Sequence, residues 1–493
     1  MYEDRTGVHG PGRAGAGQVD AGRGTAGPPL PGGARAAASG TPGTGPGSAG
    51  AGDGRSGEAV RRRGGGGGPG GLEDLRVPDV LSARVPAEQR GAGRDDVRLL
   101  VSRGRAVSHH AFRELPGELR AGDVLVVNTS MTLPAAVNGR VGGERVVVHF
   151  STRGADGRWA VELRAPGAAG VTGPRPGGPA GAVVRLPGGR ALVVEEPLGP
   201  ASGARLWWAR VAEPMPRPVP RSAPRPESVP ERDPMQEAEA EAASVREPAP
   251  ESARSAQGPV AGSVPDFVPD SVPELLRRYG RPIRYGYTER DQPLSAYQTV
   301  FAAPSPDGSG SAEMPSAARP FTAALVAELV RRGVLFAPLS LHTGVASAEA
   351  HEPPYPERFS VPAATAWLVN AVRAARGGDR AEGGRVIAVG TTAVRALESA
   401  AGPDGVVRPV AGWTDLVVTP RRGVRVVDGL LTGLHEPRAS HLLMLEAVAG
   451  REALRLGYEA ALLERYLWHE FGDVHLVLPD EERNAPDCSS NEW

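Results

Sequence analysis

The sequence predicts an α/β protein: a main α/β domain with an inserted small β-barrel domain, a disordered amino-terminal tail and a Pro/Glu-rich linker. Three observations carry this expectation. Beyond Pro273, apolar strand-like runs alternate with helix-like ones, the pattern of an α/β domain. Residues 131 to 212 break into short alternating pieces separated by Gly and Pro, the pattern of a small barrel. Much of the excess of 67 glycines and 49 prolines sits in two segments without apolar periodicity. About 350 residues are then left to fold, enough for a large core.

Residues 1–71 are Gly, Ala, Pro and Arg in no fixed period, including Arg61–Arg63 followed by Gly64–Gly68. Such a segment buries too little apolar surface to offset its ordering entropy, so it is expected to be a disordered tail. Residues 72–130 open the main domain with a helix-like stretch at VLSARVPAEQR and buried strands at VRLLV (97–101) and GDVLVVNTS (122–130). GERVVVHFSTRG, RWAVELRA, GAVVRLPGGRALVVEE and ARLWWARV supply the strands of the barrel domain, 131–212. Residues 213–270, rich in Pro, Glu, Arg and Ser, form a mobile linker. The main domain resumes over 271–480 with LFAPLSLHTG, TAWLVNAVRAAR, RVIAVGTT, AVRALESAA, a strand-like TDLVVTP, SHLLMLEAVAG and GYEAALLERYLWHE, and residues 481–493 are a tail.

With 56 basic and 57 acidic residues the net charge is -1, so any contact with nucleic acid or an anionic membrane must be local. The basic residues are all Arg. A single cysteine, Cys488, excludes an intrachain disulfide and a CxxC metal or iron–sulfur site, and fits a reducing cytoplasm. The opening MYEDRTGVHGPGRAGAG lacks the apolar core of a signal peptide, and no run of about 18 apolar residues follows, so neither export nor membrane spanning is expected. His9, His149, His469 and His475 lack ligand spacing with cysteine or paired carboxylates, so no metal is expected.

The most specific string is RVIAVGTTAVRALESAA, 385–401. Val386 to Val389 form a buried strand, Gly390 permits a tight turn, and Thr391 or Thr392 can cap the helix that follows. The start of such a helix suits an anionic group, because its first N–H groups are free and its dipole is favourable. Arg395 and Glu398 lie three apart, placed to pair with each other or to meet a ligand.

This string resembles the strand–turn–helix signature of the S-adenosylmethionine:tRNA ribosyltransferase-isomerases of queuosine biosynthesis. GWTDLVVTP and VDGLLTGLHEPRASHLLMLEAVAG are similar to the next two blocks, with His435, Pro437, Arg438 and Ser440 matching and Gly433, Leu434 and Glu436 departing. YGRPIRYGYTERDQPLSAYQTVFA resembles the entry block through Tyr297, Gln298 and Thr299, and Leu341, His342, Thr343 and Gly344 match a Leu-His-Val-Gly block. Pro320 replaces a family histidine before Phe321 and Thr322, and NTSMTLPAAV lacks an expected Arg. The closing RYLWHEFGDVHLVL keeps Tyr466, Gly472 and Asp473, with Phe471 where Tyr is usual and Glu470 where Ser is usual. The resemblance covers residues 72–212 and 275–480.

It implies transfer of the ribosyl part of S-adenosylmethionine, as co-substrate, to the aminomethyl group of a 7-deazaguanine base at the wobble position of tRNA, giving epoxyqueuosine and releasing adenine and methionine. Such chemistry needs a base to remove a proton beside the sulfonium, a proton donor for departing adenine, and a target base held out of the anticodon stack. His342 and His435 are candidates for proton transfer near neutral pH. Asp415, at the start of a probable strand, is a candidate for the ribose hydroxyls or the sulfonium. Thr391, Thr392, Arg395, Glu398 and Arg438 are candidates for substrate binding, the arginines for RNA phosphate or the methionine carboxylate. Trp413 is a candidate to stack on adenine. The expected protein is a cytoplasmic monomer that partners tRNA. Two alternatives stay open: a non-catalytic RNA-binding or regulatory paralogue, motivated by Ser130, Pro320 and Gly433, and transfer to a small-molecule acceptor.

Overall fold

A computed structural model describes residues 72–175, 180–199, 204–212, 272–345, 355–377, 383–437, 439 and 441–478. The expected tails and linker, Cys488, and the candidate Arg438 lie outside the described residues.

In chain order the elements are β1 (Arg98–Arg103), β2 (Ala106–Ala111), α1 (Leu115–Glu118), β3 (Val124–Asn128), β4 (Ala136–Val141), β5 (Glu144–Arg153), β6 (Trp159–Pro166), β7 (Thr172–Pro174), β8 (Val183–Arg185), β9 (Ala191–Pro197) and β10 (Leu206–Ala212). Then come α2 (Val272–Tyr279), α3 (Ala323–Arg331), β11 (Leu335–Leu341), β12 (Glu357–Val361), α4 (Ala363–Ala374), β13 (Val386–Val389), α5 (Thr391–Ser399), β14 (Val410–Thr414), β15 (Gly429–Gly433), α6 (His441–Ala449), α7 (Arg451–Leu463) and β16 (Val474–Leu478). They build a mixed α/β molecule with two sheets, nine-stranded in the order β14-β12-β11-β3-β13-β15-β16-β1-β2 and seven-stranded in the order β10-β9-β8-β4-β5-β6-β7.

The centre of the larger sheet, β11-β3-β13-β15, is parallel. Parallel strands are covered on both faces and therefore read as unbroken apolar runs, which is why VLVVN and VIAV are buried at every position. Alternate side chains serve opposite faces. Val124, Val126, Val386 and Ala388 pack under Val369 of α4, Leu397 of α5, Leu445 of α6 and Leu454 of α7. Leu125, Val127, Ile387 and Val389 pack under Leu325 and Leu329 of α3.

The smaller sheet is antiparallel, and β10 pairs with β6 as well as with β9. Val137, Val148, Phe150 and Trp159 line its apolar face, which Val272, Leu275 and Leu276 of α2 join.

Two local expectations differ from the structure. VLSARVPAEQR holds two single 3-10 turns, Asp79–Leu81 and Ala87–Gln89, in place of a helix. Pro86 removes a backbone donor from the middle of the stretch and disfavours helical backbone at the residue before it. The strand expected at TDLVVTP is instead VAGWT, and the chain leaves the sheet after Thr414. There Arg395 takes the carbonyls of Thr414 and Leu416, and the Thr414 hydroxyl accepts the Leu416 N–H, groups that strand pairing would otherwise engage.

At the amino ends of β3 and β13, Asp123 and Arg385 form an ion pair at 2.6 Å with side chains 0% and 5% exposed. Asp123 also accepts the Arg385 and Arg120 backbone N–H groups. Replacing Arg385 by Met removes the closest charge partner of a buried carboxylate and leaves it Arg120 at 3.7 Å, so Arg385→Met is expected to lose up to about 3–5 kcal/mol in urea denaturation. Adding Asp123→Asn to that variant should restore part of the loss; a single variant as stable as the parent would contradict the arrangement.

Candidate active site

The cleft is built where β3, β11 and β13 end together. After Val389 the chain turns through Gly390 at φ 92°, a left-handed conformation that favours glycine, and α5 begins at once. Neither Thr391 nor Thr392 caps this helix: its cap position is Gly390, with no side-chain cap, so the first N–H groups are left for another partner. Asn128, fully buried at the end of β3, donates through Nδ2 to the Leu341 carbonyl at 2.9 Å and to Thr392 Oγ1 at 3.3 Å. Its Oδ1 accepts the N–H groups of Leu341 and Ser130. One amide thus ties β3 to β11 and to the first turn of α5.

Two chambers open on either side of that turn and share Glu313, Thr343, Thr391, Thr392 and His441. Arg395, Glu357, Leu416, Val418 and Met444 line the first. Tyr285, Tyr287, His435, His469 and Glu470 line the second.

In the first chamber Arg395 pairs with the buried Glu357, whose other oxygen accepts the Gly344 N–H at 2.9 Å. Burial raises the Glu357 carboxyl above its usual range, and the Arg395 guanidinium opposes that. Arg395 and Glu398 do not pair. Glu398, 1% exposed, accepts Arg422 at 2.9 Å and the N–H groups of Arg425, Val426 and Val427. A fully buried carboxylate needs its lone pairs filled, and a loop amide cluster does this better than one arginine.

In the second chamber His435 stacks on His441 with ring centroids 4.7 Å apart and meets Thr432 Oγ1 at 3.1 Å. Burial first, then His441 and His469, lower its imidazole to about 3, so it stands neutral at physiological pH. Tyr287 stacks on His469 at 4.1 Å, and Tyr285 stacks on Tyr287. His469 holds φ 74°, a strained value for a non-glycine residue, fixed by its N–H to the Leu434 carbonyl and by the Gly472 N–H on its own carbonyl. Beside it, burial and then the neighbouring Glu313 push the Glu470 carboxyl up to about 8, against the Thr288 hydroxyl and Arg319.

His342 lies behind the cleft and lines neither chamber. Ser311 donates to Ser130, and Ser130 meets His342 Nδ1 at 2.8 Å. Burial, with Arg358 adding to it and Asp307 opposing, lowers His342 to about 4. Trp413 and Asp415 are exposed and also line neither chamber; with β14 ending at Thr414, Asp415 follows a strand where the sequence had it starting one. The structure therefore brings together Thr391, Thr392, Arg395 and His435, and keeps Glu398, His342, Trp413 and Asp415 apart from them. Sequence reasoning missed Asn128, Tyr287 and Glu313, and it marked Glu470 only as a departure from the family's serine. Among the described residues no group of three or more His, Cys, Asp or Glu could hold a metal, and no helix is long and apolar enough to cross a membrane.

The model of a family described as queuosine biosynthesis protein matches residues 74–179 and 241–477. The chain is 30% identical over 417 residues to an S-adenosylmethionine:tRNA ribosyltransferase-isomerase of Symbiobacterium thermophilum, covering 82% of this chain and 98% of that protein. It is 32% identical over 419 residues to the protein of the same name from Gloeobacter violaceus, covering 82% and 95%. A crystal structure of an S-adenosylmethionine tRNA ribosyltransferase from Thermotoga maritima aligns with a TM-score of 0.38 at 22% identity, over 83% of this chain and all of that one.

Removing the Asn128 amide takes the acceptor from the Leu341 and Ser130 N–H groups and leaves the Leu341 carbonyl only the Ser311 hydroxyl at 3.4 Å. Asn128→Leu is therefore expected to lose roughly 2–4 kcal/mol in urea denaturation, since each buried orphan costs about 1–3 kcal/mol. Amide exchange at Leu341 should rise with it. Unchanged stability and protection would mean that the edge of the sheet is held by something else.

Proposed function

This chain belongs to the queuosine biosynthesis family and is an S-adenosylmethionine:tRNA ribosyltransferase-isomerase, and from that premise we propose that the two joined chambers are its reaction site. The overall reaction moves the ribosyl part of S-adenosylmethionine onto the aminomethyl group of 7-aminomethyl-7-deazaguanine in tRNA, giving epoxyqueuosine. The observation that carries the assignment is the amino terminus of α5 opening into both chambers, with a guanidinium in one and an aromatic stack beside a protonated carboxyl in the other.

S-adenosylmethionine takes the Arg395 chamber. Its carboxylate meets the first N–H groups of α5 with Arg395 nearby, and Leu416, Val418 and Met444 face its apolar parts. The target base lies against the Tyr287–His469 stack, where a flat base finds a preformed ring surface. His435, neutral above about pH 3, accepts the proton from the carbon beside the sulfonium. Glu470, protonated below about pH 8, supplies the proton to departing adenine. Each group stands at neutral pH in the protonation state that its role requires. His342 acts on the site only through Ser130 and the strand ends. We also read residues 131–212 as one inserted β-barrel module, a reading that the pairing of β10 with both β9 and β6 supports.

Purified protein given S-adenosylmethionine and tRNA carrying the aminomethyl base should release adenine while the modified nucleoside forms. Because Glu470 must hold its proton, the rate should fall as pH rises through about 8. Glu470→Gln should remove that limb and lower kcat by roughly 10²-fold, and His435→Ala should abolish both products. An unchanged pH profile in Glu470→Gln would remove Glu470 from the mechanism, and absence of both products from the parent protein would remove the activity.

A further inference from the structure

A second charged feature lies outside the cleft, on the outer face of the smaller sheet. Arg140 of β4 stands directly opposite Arg145 of β5 and also opposite Arg185 of β8. Residues paired in register across a sheet point to the same side, so the three guanidinium groups form one row. The row spans two inter-strand steps, on the order of 10 Å. All three side chains are exposed. Arg145 and Arg185 have no hydrogen-bond or ion-pair partner among the described residues, and Arg140 reaches only the Gly143 carbonyl. Like charges placed opposite one another destabilise a sheet. A chain with net charge -1 gives no general reason for such a concentration.

The row borders a groove that Arg281 also lines, and Arg281 has only Asn138 Oδ1 as a side-chain partner. Among the described residues the one carboxylate lining the groove, Asp291, is paired with Arg284. The groove shares Val171 and Thr172 with a second hollow lined by Arg164 and Arg205, both paired with Glu162, and by Arg284 and Tyr285. Tyr285 in turn lines the chamber of the Tyr287–His469 stack. His149 lies in the second hollow, where burial and then Arg164, Arg281 and Arg205 hold it down to about 3, a local sign of the positive field. The arginine row and its groove therefore form a basic surface that leads, through shared lining residues of the hollow, to the chamber of the reaction site.

We propose that this track binds the sugar-phosphate backbone of the tRNA substrate, with Arg140, Arg145 and Arg185 on successive phosphates and the strand led past Tyr285 into the chamber. The proposal rests on the ribosyltransferase reading of the cleft. Guanidinium forks match phosphate oxygens two at a time, and a row this long exceeds the span of a single anion. A polyanion relieves the repulsion within the row, so the cost borne by the free sheet is recovered on binding. An acidic protein would satisfy the charge but has no reason to follow a track that leads to a base-stacking wall.

The test uses full-length protein and a labelled, unmodified tRNA transcript carrying the target anticodon, titrated at several salt concentrations. Two triple variants serve: Arg140→Gln, Arg145→Gln, Arg185→Gln, and the same three positions changed to Lys. The Gln set should bind the transcript at least tenfold more weakly, with a plot of log affinity against log salt shallower by about 2 to 3. The Lys set should keep the slope. S-adenosylmethionine binding should not change in either, and the melting temperature of the Gln set should rise as the repulsion is removed. Parent-like tRNA affinity and slope in the Gln set would overturn the proposal, as would a polyglutamate peptide that binds the parent more tightly than the transcript does. Because binding is read apart from adenine release, a parent protein that forms no product yet loses tRNA in the Gln set would remove the reaction assignment and leave the track standing.

Discussion

The reactive edge of the larger sheet depends on one buried amide. Asn128 uses both N–H bonds and accepts two more hydrogen bonds, so the ends of β3 and β11 and the first turn of α5 are fixed to a single side chain. Each bond contributes only about 1 kcal/mol net, but an unmade one inside the protein costs more, so the group acts together or not at all. Because Thr392 is among its partners, the free N–H groups of α5 cannot turn away from the cleft. Ser130, held by the same amide, carries the restraint to His342 and so to the loop after β11.

Burial reverses the ordinary order of titration in the cleft. His435 and His441 lose their affinity for protons while Glu470 keeps its own, so the second chamber carries little charge from these groups at neutral pH. In the first chamber Glu357 and two backbone carbonyls surround the Arg395 guanidinium. A cationic sulfonium and an anionic carboxylate in one substrate suit such a division, with the anion near the guanidinium and the reacting carbon in the less charged space.

Much of the fold was legible from local pattern. VLVVN and VIAV announce central parallel strands because burial on both faces leaves no room for polar alternation, and TAWLVNAVRAAR shows the helical period. The failures share a cause: the deciding partner is distant in sequence. Leu416 to Val418 look like a strand until Arg395 takes the carbonyls of Thr414 and Leu416, and Glu398 looks like a surface partner of Arg395 until a loop 27 to 29 residues onward supplies its amides. The arginine row was invisible for the same reason, since 140, 145 and 185 become neighbours only once the register of three strands is known. Of the residues lining the candidate site, the helix start, Arg395 and His435 were marked through the motif. The stack and the raised carboxyl required Tyr287 and Glu470 to be brought together across 182 intervening positions.

The double pairing of β10 bears on how the molecule behaves in company. A strand with one side open offers a ladder of unpaired N–H and carbonyl groups on which another chain can grow. Here β10 is hydrogen-bonded on both sides, and the flank that the smaller sheet leaves open is β7, three residues ending in Pro174. Proline withholds a donor, and so short a flank gives an incoming strand little to grip. An antiparallel sheet whose exposed face is built to attract a polyanion thus presents almost no template of its own for intermolecular β-assembly while that face is engaged.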